Sequence, residues 1–416
     1  MKEKQFSKDF VLVVIGQIIS LFGNATIRFA LPLYLLNQTG SSAIYGIVTA
    51  GAFIPTILLS PVGGMIADRV NKRNIMVILD FFTAMVVAGF TLLLEAGNLV
   101  LFLTVTLMIL YGIAGAYQPA VQASIPSLVR QEQIMAANSI TNTISSFASL
   151  LGPVFGGILY SAYGLKPVLW VCTVCFTVSA IMEIFIHIPY QKQERKRSIR
   201  QVIRSDFSES IQFIRKEKPI IGKVVLTACG INLFLSSMIM VAMPYLITEV
   251  LAFETAQANR FYGYATGVMG AGGLAGGICA GIFAKKLHMK KAGKLLLLCA
   301  FFICPMGIVQ VLSVSAMTNY LVLTVCFFFV MLCATVFTVQ VMSFVQTETP
   351  QHLIGKVIAV ILTVSMCAQP LGNAVYGMLF EWCRGYEYVV LFLAGIVSAV
   401  IAGWLMRMFK EEVTIL

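Results

Sequence analysis

Stretches of apolar residues long enough to cross a bilayer recur twelve times in this chain of 416 residues. They are centred near residues 22, 53, 85, 111, 150, 178, 235, 272, 304, 331, 368 and 398. A run of about 18 or more such residues reads as a spanning helix, because only a helix satisfies its own backbone inside hydrocarbon. The breaks between runs are short and polar, and alternate ones are strongly basic. The pattern predicts an all-α integral membrane protein. The first run follows Lys2, Lys4 and Lys8, as the core of a signal peptide would. It is too long for one, and no small-residue cleavage site leads from it into a soluble domain, so it reads as the first span.

The pattern also repeats itself. Residues 43–73 are echoed by residues 260–290: Tyr45-Gly46 falls on Tyr262-Gly263, Thr49 on Thr266, Gly64 on Gly281 and Ala67 on Ala284. Ala30-Leu31-Pro32 matches Ala242-Met243-Pro244, and Pro153 matches Pro370. Both copies leave the apolar run through a basic turn, so they cross the membrane in the same direction, an even number of spans apart. Six fits. The expected organisation is a six-helix bundle over 1–188, a cytoplasmic linker over 189–222 and a second bundle over 223–416. Two parallel repeats imply a pseudo-two-fold axis along the membrane normal, with a cavity between the halves. In the linker, Lys192, Arg195, Lys196, Arg197 and Arg200 accompany Ile199, Val202, Ile203, Phe207, Ile211 and Ile214 at helical spacing. That predicts an amphipathic helix lying on anionic headgroups of the membrane lipid. A regulatory or partner-binding segment is the alternative.

Composition narrows the class. The chain is 59% hydrophobic and 11% charged, with mean hydropathy +0.89, which no water-soluble surface would tolerate. A net charge of +11 would suggest nucleic acid in a soluble protein. Here its placement gives orientation instead. Of the 29 Lys and Arg, Lys166, Arg260 and Arg384 fall on one side and Arg28 inside a span; all others share the side of the termini. That asymmetry puts both termini in the cytoplasm of a multi-pass cell-membrane protein. The ten cysteines lie in or beside the apolar runs and read as packing residues. Cys172-x-x-Cys175 has no second pair, and His187, His288 and His352 are scattered along the cytoplasmic edge, so no metal site is expected. No G-x-x-x-x-G-K-[ST] sequence is present to use a nucleotide. Neither an enzyme, a primary pump nor a cofactor is expected.

Gly64-Met65-Ile66-Ala67-Asp68-Arg69-Val70-Asn71-Lys72-Arg73 resembles the signature of the major facilitator superfamily between helices 2 and 3, with Asn71 replacing a glycine. Gln118-Pro119-Ala120, Pro126-Ser127-Leu128-Val129 and Ala136-Ala137-Asn138-Ser139 are similar to the macrolide-efflux and siderophore-exporter branch. Gly152-Pro153-x-x-Gly156-Gly157 resembles the core of an antiporter motif, although Thr143 stands where its leading glycine belongs. The resemblance implies the major facilitator fold and a secondary active exporter of amphiphilic small molecules, macrolide-like drugs or siderophores. It would work as a monomer, by alternating access and proton antiport. A transporter of lysophospholipid or other lipid, or a solute importer, would share the fold. The resemblance further implies a conformational latch, with Asp68 against the N-terminus of helix 11 near Gly355. Gly64 would permit the approach, and Arg69, Lys72 and Arg73 would pair locally or bind headgroups. Lys285-Lys286 stand at the repeated position, so the latch is expected on one half only. Gly152, Pro153, Gly156 and Gly157 would form a bending gate in helix 5, or simply interhelical packing. The position of the superfamily's helix-4 arginine is Met108.

Charges inside a membrane are costly and mark function. Arg28 is a candidate for an anionic substrate group or a carboxylate partner, against snorkelling to the interface. Asp80 and Glu183 are candidates to carry a coupling proton, against structural roles. Asn24, Gln118, Asn142, Asn232, Gln340, Gln369 and Asn373 lie in helices that line the substrate cavity of the resembled family. Interhelical bonding is their alternative. Phe327-Phe328-Phe329, Met238, Met240 and Met243 suit a large adaptable apolar cavity.

Overall fold

The computed structural model describes residues 6–95, 97–188, 207–283, 289, 292–312, 314–350 and 353–415. For residues 61–69, 135 and 410–415 it describes the backbone alone. Among the described residues, twelve helices are long and apolar enough to cross a membrane. They are α1 (Lys8–Thr39), α2 (Ser42–Arg69), α3 (Lys72–Leu93), α4 (Leu99–Leu128), α5 (Ile134–Tyr163) and α6 (Leu165–Ile184), then α7 (Pro219–Val250). After them come α8 (Thr255–Ile282), α9 (Ala292–Val311), α10 (Ala316–Glu348), α11 (Ile354–Trp382) and α12 (Glu387–Ile415). Every apolar run of the sequence is one of these helices.

Local chemistry sets several ends. Asn71 and Asn98 accept from the Arg73 and Leu101 amides at the starts of α3 and α4, and Ser315 accepts from Thr318 at the start of α10. Gly40 and Gly164 take φ +59° and +75°, which lets α1 turn into α2 and α5 into α6 within a few residues. α7 is wound more loosely, with π-turns at Ile231–Ser236 and Leu246–Val250.

The chain packs as two compact units. One comprises Met1–Thr39, Gly51–Lys196 and Thr255–Gly267; the other comprises Gly40–Ala50, Arg197–Glu254 and Val268–Leu416. Within the first, α1 packs on α5 and α6, and α3 on α4 and α6. Within the second, α7 packs on α11 and α12, and α9 on α10 and α12. The packing scheme is thus the same six helices on, as the sequence repeat implies. Leu31, Leu33, Leu35 and Leu36 are fully buried in the first unit, as are Phe327 and Phe380 in the second. Lipid is as apolar as leucine, so close fit rather than escape from water drives this packing.

Residues 189–206 of the expected linker helix lie outside the described residues. Its continuation is helical, ends in a π-turn at Phe213–Glu217, and buries Phe213 and Ile214 against Ile220, Val224 and Leu353. Glu209 pairs with Lys356 at 2.7 Å and Lys218 with Glu348 at 2.6 Å. The end of the linker therefore rests on protein.

Candidate functional site

Asp80 and Glu183, predicted as separate candidates, meet inside the first unit. Gly16 faces the pair from α1: a Cβ there would be in ordinary contact, 3.5 Å from Ser179 Oγ and 3.8 Å from Glu183 Cγ. Ser179 Oγ donates to the Gly16 carbonyl at 3.1 Å, fixing α6 against α1. One turn further along α1, Ser20 Oγ donates to Asp80 Oδ1 at 3.0 Å. Tyr117 Oη of α4 donates to Glu183 Oε1 at 2.7 Å and accepts from Gln17 Nε2 at 2.6 Å. Gln17, Asp80 and Glu183 are all essentially fully buried. One oxygen on each has no hydrogen-bond partner: Gln17 Oε1, Asp80 Oδ2 and Glu183 Oε2.

The surroundings are selective. Phe10, Val13, Met76, Val121, Ile125 and Ile186 form an apolar cluster one to two helical turns nearer the N-terminal end of α1. Among the described residues no basic side chain bonds to either carboxylate, and no group of three metal-ligating side chains is present. Arg73 of the signature loop points instead at the end of α6. It donates from Nε to the Glu183 carbonyl at 3.4 Å and from its terminal nitrogen to Ile184 O. It thus caps the negative end of that helix. The site offers two buried carboxylates, free oxygen lone pairs, and the hydroxyls of Ser20 and Tyr117 as proton donors. Gln17, Ser20, Tyr117 and Ser179 were not among the sequence candidates. Gln17, Ser20, Asn24 and Arg28 do recur at helical spacing on α1, which is the signal that points to them.

Among the described residues Arg28 meets no carboxylate. Its guanidinium carbon lies 3.6 Å from the centre of the Tyr111 ring, and its Nε is buried without a hydrogen-bond partner. Phe53 packs edge-on to the same ring at 5.2 Å, and Thr56 donates to the Tyr111 carbonyl at 2.7 Å. The arrangement is a cation–π contact held from behind by α2.

The predicted amides divide by environment. Asn24 and Gln118 are half-buried and Asn142 is exposed on α5. Asn232 folds back onto the Ala228 carbonyl of its own helix at 3.0 Å, so it serves the π-turn. Gln369 reaches Met240 Sδ at 3.6 Å, a bond between α11 and α7. Gln340 and Asn373 are buried with both amide atoms unpartnered. These two retain unused hydrogen-bonding capacity.

The helix-5 residues are packing surfaces here. Thr26 Oγ1 donates to Gly152 O at 3.4 Å, and a Cβ on Gly152 would collide with Ala25. One on Gly156 would lie 3.2 Å from Phe29. Gly157 faces Gly263 of α8: a Cβ on Gly263 would lie 2.8 Å from the Pro153 carbonyl oxygen and 3.1 Å from Gly157 Cα. Its repeat mate Gly46 is placed the same way on α11. A Cβ there would collide with the Asn373 carbonyl oxygen and lie 2.9 Å from Gly377 Cα. The Tyr-Gly pair of each repeat thus lies in the leading part of its helix, at a close crossing. Of the predicted latch, the packing of Gly64, the side chains of Asp68 and Arg69, and residues Lys285-Lys286 lie outside the described residues. Lys72 opens α3.

Twelve spans among the described residues, in two sets with matching packing, make a duplicated membrane bundle of the kind on which secondary transporters are built. The sequence matches the Major Facilitator Superfamily over residues 13–373, and the chain belongs to that family. It is 22% identical over 377 residues to macrolide efflux protein A of Streptococcus pyogenes, covering 89% of each chain. It is 22% identical over 387 residues to the multidrug efflux pump Tap of Mycobacterium tuberculosis, covering 89% of this chain and 86% of Tap. Its fold is similar to that of the nucleoside transporter NupG, with TM-score 0.77, 13% identity and coverage of 97% and 100% of the two chains. A bacterial homologue of the iron transporter ferroportin gives TM-score 0.72 at 16% identity, covering 96% and 98%.

Proposed function

We propose that this transporter exports amphiphilic small molecules, of the macrolide or siderophore kind, in exchange for protons by alternating access. Likeness to drug-efflux proteins along almost the whole chain supports the cargo class. The observation that carries the mechanism is the buried Asp80–Glu183 cluster. Holding two carboxylates in a dry interior costs several kcal/mol per ion, on the order of a complete transport-state equilibrium, unless protons or a partner cation neutralise them. Proton uptake removes that cost and release restores it, so occupancy can bias which packing the helices adopt. Ser20 and Tyr117 are placed to pass a proton, while the apolar layer nearer the N-terminal end of α1 restricts its escape. Arg28, on the Tyr111 face, is a fixed positive charge that favours neutral or anionic cargo over cations. The basic loops and termini are assigned to the cytoplasm.

Purified protein in proteoliposomes tests this reading, with a labelled macrolide, a siderophore and a lysophospholipid, each with and without an imposed pH gradient. The macrolide or siderophore should move against proton flow. Asp80→Asn and Glu183→Gln should lose at least about tenfold of gradient-driven transport while keeping exchange without a gradient. Movement of lysophospholipid alone would replace the drug reading with the lipid one. No gradient dependence in the unmodified protein would end the proton assignment.

A further inference from the structure

The first turn of α2 receives a carboxylate from a distant helix. Glu381, one residue from the end of α11, places Oε2 2.9 Å from Ser41 Oγ, 3.4 Å from Ser42 Oγ and 3.4 Å from the Ala43 amide nitrogen, accepting from all three. Ser41 Oγ accepts from the Ile44 amide at 3.2 Å, and Ser42 Oγ also donates to the Gly377 carbonyl at 2.9 Å. The Gly46–Gly377 crossing one turn further brings the two helices close enough for this.

The position is informative because it is unfavourable for α11 alone. A carboxylate at a helix C-terminus faces the negative end of its own dipole, whereas at the start of α2 it meets the positive end and unsatisfied N–H groups. Glu381 therefore gains these three bonds while α2 and α11 are together at this end. A group that interacts differently in two arrangements is what shifts their balance. The repeat-related crossing of α5 and α8 lacks it. The residue four beyond Gly157 is Ser161, where four beyond Gly377 is Glu381. That crossing is joined by neutral groups, Asn37 donating to Tyr160 Oη at 3.2 Å and Asn259 Oδ1 at 2.9 Å.

We propose that Glu381 is a carboxylate latch that holds the leading end of α2 onto α11 and is released when this end opens. It is the counterpart, at the other end of the same helix pair, of the Asp68 latch expected from the signature loop. The release step rests on the alternating-access reading above; the latch itself does not.

Hydrogen–deuterium exchange of the full-length protein in nanodiscs tests it without any cargo. In Glu381→Ala, amides of residues 42–50 should exchange about three- to tenfold faster than in the unmodified protein, with Glu381→Gln between the two. Residues in α3 and α9 should not change. Glu387→Gln is the control: that carboxylate accepts from the Gly385 amide at 2.8 Å, within its own segment, and should leave residues 42–50 alone. Unchanged exchange at 42–50 in a folded Glu381→Ala overturns the latch, as does an equal effect from Glu387→Gln. If Glu381→Ala does not fold, Glu381→Gln with Ser42→Ala decides by the same criterion. Altered exchange with no cargo moved by any form would remove the exporter reading and leave the latch standing.

Discussion

The guanidinium of Arg28 on α1 lies over the ring of Tyr111 on α4, 83 positions further along the chain. A desolvated cation–π contact stabilises by about 2 kcal/mol. Tyr111→Phe, which keeps the ring, should leave unfolding in detergent nearly unchanged. Tyr111→Leu should lower the unfolding free energy by about 1–2 kcal/mol and, if Arg28 selects cargo, change the drug profile. At the surface the balance is different. Lys166 lies 2.7 Å from Glu95 and holds its carboxyl below the usual carboxylate range. A lowered folded value means that the pair supports the fold above the ordinary carboxylate pKa and loses that support as pH falls through the lowered one. Both side chains are exposed, so Glu95→Gln should move the melting point little at pH 7, and less still as the pH falls through the lowered carboxyl value.

At the scale of the helix, the twelve spans and their duplication were legible because apolar length and glycine spacing are local properties. The contacts were not, because they pair elements far apart in order. Asp80 and Glu183 were visible singly, but only the packing of α3 and α6 on α1 makes them one site. The repeated Tyr-Gly was visible as a repeat, but its physical reason, a crossing with no space for a Cβ, needed α11 and α5 to be seen beside it. The crossings predict a specific defect. Gly46→Val and Gly263→Val insert side chains where carbonyl oxygens sit, an overpacking cost of about 1–3 kcal/mol each. Gly51 lies in the same helix as Gly46, but a Cβ on it would meet nothing within 4 Å, so Gly51→Val should be silent. Equal melting of Gly46→Val and Gly51→Val would mean that α2 slides freely on α11.

For the whole molecule, the leading parts of α2 and α8 each pack in the unit that holds the opposite repeat's helices. Gly46 meets Gly377, Gly263 meets Gly157, and Asn37 meets Asn259, so the two sequence repeats are joined by non-covalent contacts besides the linker. If each repeat is a six-helix bundle in its own right, the covalent linker is dispensable for assembly. Residues 1–188 and 223–416, expressed together as separate chains, should then insert and co-purify. The association should weaken when Gly46→Val and Gly263→Val are combined, since both crossings lose their close approach. It should weaken less with Glu381→Gln, which removes a charge but leaves room for the helices to touch. Failure of the halves to co-purify, with each inserted stably, would show that the linker segment around Phe213 and Ile214 is needed to hold the repeats together. That outcome would move the boundary of the second bundle to include it, consistent with the burial of those two side chains against α7 and α11.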